Sequence, residues 1–134
     1  MIQQYFLSIA YLILVSFLFL VDSYRRQISF AIRIKGALME NRKLLDAFFV
    51  SGIIISLLAL FFPMHPGPVI LGDLIPALWI FYSAFFFRFR YSEKRSEQGE
   101  IFFETFTQDR TTRLGWITAL IAAVHFIIPQ FVLL

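Results

Sequence analysis

The sequence has no cysteine, little glycine or proline, and little charge. Its 134 residues include six glycines and five prolines, and charged residues make up 16%. The absence of cysteine excludes disulfide bonds, thiolate metal sites and cysteine nucleophiles. A glycine-rich phosphate loop, a nucleophile elbow and an HExxH zinc motif are missing as well. Motif-based evidence for an enzymatic function is therefore lacking.

Apolar residues are abundant instead. Hydrophobic residues make up 59% of the chain, phenylalanine alone occurs 18 times, and the mean hydropathy is +0.75. A soluble domain of this length is nearer half apolar, so the excess predicts a protein that resides in a lipid bilayer. The length is sufficient for one compact unit, and we predict a single membrane domain over residues 1–134.

Four apolar segments predict four transmembrane helices, at about residues 2–21, 44–62, 69–87 and 114–134. Twenty helical residues extend about 30 Å, which matches the hydrocarbon layer of a bilayer. No lysine or arginine precedes the first segment, so we expect it to remain as a span and not to be cleaved as a signal peptide. The predicted fold class is all-α, an integral membrane four-helix bundle.

The basic residues predict the orientation of this bundle. All twelve lysines and arginines lie in residues 22–43 and 88–113, between spans one and two and between spans three and four. Positively charged loops stay on the cytoplasmic side of a membrane. We therefore predict both basic segments in the cytoplasm, both chain termini outside, and residence in a bacterial cytoplasmic (inner) membrane.

The first basic segment resembles an amphipathic helix, predicted over Tyr24–Leu45. Its polar stripe recurs every three or four residues: Arg26, Ser29, Arg33, Gly36, Glu40 and Lys43. Such a helix lies in the headgroup layer and binds anionic lipid or a partner protein. The predicted partner- and lipid-binding residues are Arg25, Arg26, Arg33, Lys35, Arg42 and Lys43. The alternative is a connector without a binding role, or an extension of span two.

The second basic segment predicts a short helix whose apolar patch is formed by Ile101, Phe102, Phe103 and Phe106. Glu93, Glu97, Glu100, Glu104 and Asp109 are interspersed among its bases. Because each carboxylate repels phosphate, this pattern argues against a nucleic-acid partner.

His125, near the middle of the fourth predicted span, is the candidate cofactor ligand. Ionisable side chains inside a membrane usually face a helix interface, a cavity or a cofactor. A neutral imidazole can bind the iron of a haem or the magnesium of a chlorophyll-type pigment. No other predicted span contains a histidine, so two ligands cannot come from this chain. The alternatives are a hydrogen bond between helices and a polar contact to another subunit.

Asp73 and His65 are the ionisable residues of the predicted outer side. They could form a proton-handling pair or a cation site at the mouth of span three. The other interpretation is that Asp73 caps the helix that begins there, with Pro76 in its first turns, because aspartate is a preferred N-cap and proline fits a helix start.

In length, span number and loop position the chain resembles the MAPEG family of small trimeric membrane enzymes, which commonly use glutathione. That family carries Asn-x-x-Glu-x-x-Pro at its second span, where this sequence has Asn41, Leu44 and Ala47. The resemblance therefore covers topology and not the motif, and no residue role is carried over from it.

Three functions follow from these observations. The first hypothesis is a small non-catalytic accessory or structural subunit of a larger membrane protein complex, with lipids and other membrane subunits as partners. The alternative is a homo-oligomeric MAPEG-like membrane enzyme that acts on lipophilic substrates near Glu40, Asn41 and Arg42. The third is a small channel or carrier that uses His125 and Asp73.

Overall fold

The fold is all-helical. The computed structural model describes residues 2–21, 23–24, 29–61, 74–93 and 100–127, with the side chains of residues 2, 90–93 and 100–109 excepted. These residues form five helices and no strand: α1 (Ile2–Leu20), α2 (Ser29–Glu40), α3 (Arg42–Phe61), α4 (Leu74–Glu93) and α5 (Glu100–Ile127). The all-α prediction is confirmed.

Helix α1 is the centre of the structure. It touches each of the other four helices, and its most extensive contact is with α5. The contact between α3 and α4 is of similar extent. Leu12 and Val15 on α1 are completely buried, and Leu18 is 1% exposed. Half of the apolar stretch of α1 is buried by protein, against 28% of that of α3. The fold is therefore two helix pairs joined through α1.

Two of the helices, α1 over Gln3–Leu20 and α3 over Arg42–Phe61, are long and apolar enough to cross a membrane. Helix α4 has a shorter apolar stretch, Leu74–Phe89. The third and fourth predicted spans also include residues 69–73 and 128–134, which lie outside the described part of the chain. The helices overlap all four predicted segments, and two of them qualify as spans by themselves.

The structure divides the helix predicted over Tyr24–Leu45 into α2 and α3, with Asn41 between them. The Asn41 side-chain Oδ1 accepts hydrogen bonds from the backbone N–H of Lys43 (3.0 Å) and of Leu44 (3.4 Å). An asparagine at this position caps the first turn of the following helix. The hydrophobic periodicity alone did not reveal this break.

Replacing Asn41 tests this cap. We expect Asn41→Ala to lower the free energy of unfolding by about 1 kcal/mol, because the first turn of α3 loses its side-chain acceptor. Asn41→Ser keeps an acceptor of the preferred kind and should stay close to the natural chain. The measurement is unfolding in mixed micelles followed by tryptophan fluorescence. An equal decrease in the free energy of unfolding of Asn41→Ala and Asn41→Ser would contradict the capping role.

The structure also differs from the predicted end of the third span and from the predicted short helix in the second basic segment. Helix α4 continues to Glu93, beyond the end of the predicted span at residue 87. Helix α5 is one uninterrupted helix of 28 residues, where the sequence predicted a separate short helix before a span beginning at residue 114. The reason is physical: a change in hydropathy marks a change of environment, whereas a helix ends only where a cap, a proline or a turn stops it.

Gly52 lies where α1, α3 and α4 meet. A Cβ atom added there would lie 2.8 Å from Ala84 Cβ and would overlap the Tyr11 hydroxyl group. Tyr11 is held in place, since its ring stacks on Phe48 at 4.9 Å and its O–H donates to the Phe48 carbonyl at 3.2 Å. The absence of a side chain at position 52 therefore allows the two helix pairs to approach.

One ion pair connects α3 and α4 at the end of the structure that carries the basic residues. Arg88 Nη2 lies 2.9 Å from Asp46 Oδ1, with the two side chains 26% and 45% exposed. At the other end, the Ser56 hydroxyl donates to the Ala77 carbonyl at 2.8 Å. Both contacts fix α3 against α4 along their length.

Candidate functional site

Helices α1 and α5 run antiparallel and are joined at three levels. The Tyr5 O–H donates to the His125 carbonyl at 2.7 Å, and the Ser16 O–H donates to the Gly115 carbonyl at 3.0 Å. At the remaining end the Ser23 and Thr112 hydroxyl groups are hydrogen-bonded to each other. The two helices are therefore in register over the whole of α1.

Gly115 brings these helices into close contact. A Cβ atom there would lie 2.6 Å from Leu20 Cγ and 3.1 Å from Phe19 Cβ. Glycine permits such an approach because it has no side chain, and small residues serve this purpose in membrane helix pairs. On one side of this contact, α1 and α5 separate and leave an open groove.

The groove has a volume of about 750 Å³ and lies between α1 and α5. Its floor consists of residues that are themselves buried: Ile9, Ser16, Leu20 and Ala122. The small side chains of Ala10, Ala119 and Ala123 widen it. Ala119 and Ala123 therefore border an open space.

Aromatic rings stand at both ends of the groove. Phe6 and Phe126, 56% and 58% exposed, lie at the end where α1 begins. Tyr24 and Trp116 lie at the opposite end, with their rings edge to face and 6.3 Å apart. Tyrosine and tryptophan combine an apolar ring with a hydrogen-bond donor, a combination that favours the boundary between an apolar and a polar region.

Two arginines lie on α5 beyond the Trp116 end of the groove. Arg113 precedes Trp116 by one helical turn and Arg110 precedes Arg113 by another, and both side chains are exposed. Among the residues that the structure describes, no acidic side chain lines the groove. The groove lining thus passes from wholly apolar at Phe6 to hydrogen-bonding at Tyr24 and Trp116, and the two arginines lie on α5 beyond that end.

His125 lies inside the protein and not in this groove. Its side chain is 1% exposed, and its ring lies 5.0 Å from the ring of Tyr5. Tyr5 also reaches the Phe126 carbonyl, at 3.1 Å, so it satisfies two carbonyl groups in the last turn of α5. A haem or chlorophyll-type pigment at His125 would require this packing to open, and ligation there stays a prediction.

The predicted basic surface is partly described. Arg33 on α2 and Arg42 and Lys43 at the start of α3 are exposed, and Lys35 is half-buried. Arg25 and Arg26 lie outside the described residues. Helix α2 turns Ala31 and Leu38 to the protein and leaves Phe30, Ile32 and Met39 exposed. Partner or lipid binding by these cations stays a prediction.

The remaining sequence candidates are those near the start of α4 and those at the junction of α2 and α3. Asp73 and His65 lie outside the described residues, so the cation site, the proton pair and the N-cap are not placed. Pro76 falls on the third residue of α4, as a proline near a helix start should.

The MAPEG-like alternative was predicted at Glu40, Asn41 and Arg42. All three residues are exposed, and the Asn41 side chain caps α3. In the described part of the chain, no group of three potential metal ligands occurs.

A second surface feature is a row of phenylalanine rings along α4. Phe81 and Phe85 lie 4.6 Å apart and Phe85 and Phe89 5.9 Å apart, measured between ring centroids. Phe49 of α3 meets Phe85 edge to face at 4.9 Å. Phe81 and Phe89 are 41% and 62% exposed. We call Phe81, Phe85 and Phe89 the aromatic row.

Comparison with known proteins gives a family without a known role. A family model described only as a domain of unknown function matches residues 1–125. No curated protein and no solved structure matches the chain. Neither a substrate nor a partner is therefore provided by similarity.

Proposed function

The chain belongs to this family of unknown function, and from its surfaces we propose that it is a non-catalytic subunit of a larger membrane complex. It crosses a bacterial inner membrane four times, with both termini outside. A transmembrane helix of a partner subunit packs against the aromatic row on α4. The observation that carries the proposal is this row of three rings in mutual contact, two of them exposed, on a helix fixed to its neighbour.

The antiparallel pairing of α1 and α5 supports the orientation. Tyr5 and His125 lie at one end of this pair, and Ser23 and Thr112 lie at the other. The described basic side chains cluster toward the second end: Arg33, Lys35, Arg42, Lys43, Arg88, Arg110 and Arg113. A charge asymmetry of this kind keeps that end in the cytoplasm. Spans α3 and α4 share the same end through the Asp46–Arg88 ion pair.

Packing supports a helical partner for the aromatic row. Within a bilayer, helices associate through van der Waals contact, since lipid tails are as apolar as the side chains. Phenylalanine has two side-chain torsions, and neighbouring rings restrict both, so little entropy is lost when a partner packs on the row. The row extends about 12 Å along α4, which is two turns of a facing helix.

A pair of matched substitutions tests this proposal. Phe89 is 62% exposed and lies in the row, whereas Phe61 is 64% exposed and lies at the far end of α3. We expect Phe89→Ala to reduce partner recovery by roughly tenfold, the effect of losing one well-packed aromatic contact at an interface. Phe61→Ala should leave recovery unchanged. Native mass spectrometry of complexes extracted gently from the membrane gives the readout.

The same measurement separates the alternatives. A single polypeptide mass, or a homotrimer without companions, would reject the accessory-subunit proposal and favour the membrane enzyme. Equal recovery of partner by Phe89→Ala and Phe61→Ala would remove the aromatic row as the docking surface.

A further inference from the structure

We infer that the groove between α1 and α5 holds one acyl chain of an anionic phospholipid, with its phosphate beside Arg113 and Arg110. The inference rests on the membrane insertion in the proposed function and is independent of the partner subunit. It concerns a different face from the aromatic row and a different cation cluster from that on α2 and α3.

The dimensions of the groove fit an acyl chain. From Phe6 to Leu20 it follows α1 for about 21 Å. A volume of 750 Å³ over that length corresponds to a cross-section of about 36 Å². This cross-section is wide enough for one extended hydrocarbon chain. An extended chain of 16 carbons spans roughly 19 Å at ordinary carbon–carbon bond lengths, which is close to the length of the groove.

The polarity of the groove fits a lipid in one orientation, with its methyl end at Phe6 and its headgroup at Trp116. Its Phe6 end is bordered by side chains without a donor or an acceptor, as the methyl end of an acyl chain requires. Its other end offers the Tyr24 hydroxyl and the Trp116 indole N–H, which can donate to the ester and phosphate oxygens of a headgroup.

The charge selects an anionic lipid. Arg113 and Arg110 are exposed one and two turns beyond Trp116, in the direction in which the headgroup would lie. Guanidinium groups bind phosphate through charge-assisted, often bidentate, hydrogen bonds. A zwitterionic headgroup adds a cation of its own and weakens this attraction. The chemistry therefore favours a lipid with net negative charge, such as a phosphatidylglycerol, in the cytoplasmic leaflet.

Tryptophan fluorescence of the purified natural chain in detergent provides the first test. The probe is phosphatidylglycerol with brominated acyl chains, which quenches tryptophan on contact. Trp116 borders the groove, and Trp79 donates to Thr118 between α4 and α5. We expect saturable quenching at about one lipid per chain, loss of most of it in Trp116→Phe, and no saturation with brominated phosphatidylcholine.

Two matched pairs of variants provide the second test, with lipid retention measured by native mass spectrometry. Ala123→Phe fills the groove and should abolish retention of phosphatidylglycerol, whereas Ala47→Phe, an exposed alanine on α3, should not. Arg113→Gln should weaken retention by roughly tenfold, as expected for one charged hydrogen bond to phosphate. Arg88→Gln on α4, which removes one positive charge outside the groove, should leave it unchanged.

The outcomes are distinct. Equal binding of the two lipids, or equal retention by Ala123→Phe and Ala47→Phe, would overturn the inference, and so would non-saturable quenching of the natural chain. These measurements use the isolated chain, so their failure leaves the Phe89 result untouched. Loss of the partner in Phe89→Ala with normal lipid retention would support both proposals separately.

Discussion

In the variant Pro66→Cys, the thiol should react with a membrane-impermeant maleimide in sealed cells, whereas the thiol of Ser96→Cys should react only after the membrane is opened. The chain has no cysteine of its own, so each variant carries one thiol and any label on the purified chain reports that position. The expected difference is close to all or none. Its physical reason is the cost of moving the basic segment at residues 88–113 across the bilayer.

This experiment distinguishes four spans from two. If only α1 and α3 crossed the membrane, positions 66 and 96 would lie on the same side and label together. If α4 crosses as well, the two positions lie on opposite sides. Reaction of Ser96→Cys after permeabilisation is the control that this thiol is accessible. Labelling of both variants in sealed cells would refute the four-span arrangement and, with it, the proposed orientation.

Gly52→Ala should lower the free energy of unfolding by about 1–3 kcal/mol, the usual cost of adding a methyl group to a filled interior. The added carbon would lie 2.8 Å from Ala84 Cβ, which is fixed to the backbone of α4, and against the Tyr11 hydroxyl. Relief requires α3 and α4 to separate or Tyr11 to leave its stack on Phe48. Both movements disturb the contact between the helix pairs.

Gly36→Ala is the matched control. Both glycines lie inside helices, so both substitutions gain helix propensity of up to about 1 kcal/mol. A Cβ atom at Gly36 meets nothing within 4 Å. We expect Gly36→Ala to stabilise the protein slightly and Gly52→Ala to destabilise it, as measured by the unfolding midpoint in mixed micelles. Adding Ala84→Gly should restore part of the loss, since the two positions are in contact. An increase in the unfolding midpoint of both Gly36→Ala and Gly52→Ala would contradict the close approach of Ala84 and Tyr11 to Gly52.

The sequence predicted the kinds of elements well, because apolar composition and periodicity report directly on helices in an apolar environment. It did not predict where α2 ends, because the cap at Asn41 depends on a local competition between side chain and backbone. It also missed that α4 and α5 continue past the predicted membrane boundaries. A membrane surface changes the solvent, but it does not stop a helix.

The groove could not be predicted from the sequence, since it depends on which helices are neighbours. Alanines at Ala119 and Ala123 are compatible with tight packing and with an open space, and only the position of α1 decides between them. The pairing of α1 with α5 joins residues 89 to 121 positions apart, and no local pattern specifies it. One signal was available: Tyr24, Trp116 and Arg113 fall at the same predicted boundary.

The central position of α1 has a consequence for biosynthesis. Its principal neighbour is α5, and the bond from Tyr5 to the His125 carbonyl closes a loop of 120 residues. During translation α1 is therefore made long before α5, and the hydrogen bond from the Ser16 hydroxyl to the Gly115 carbonyl can form only after residue 115 has been added. The fold is completed late, when this loop closes, and closing so long a loop costs conformational entropy. A nascent chain that stops before Gly115 therefore lacks both hydrogen bonds that Tyr5 and Ser16 donate to α5.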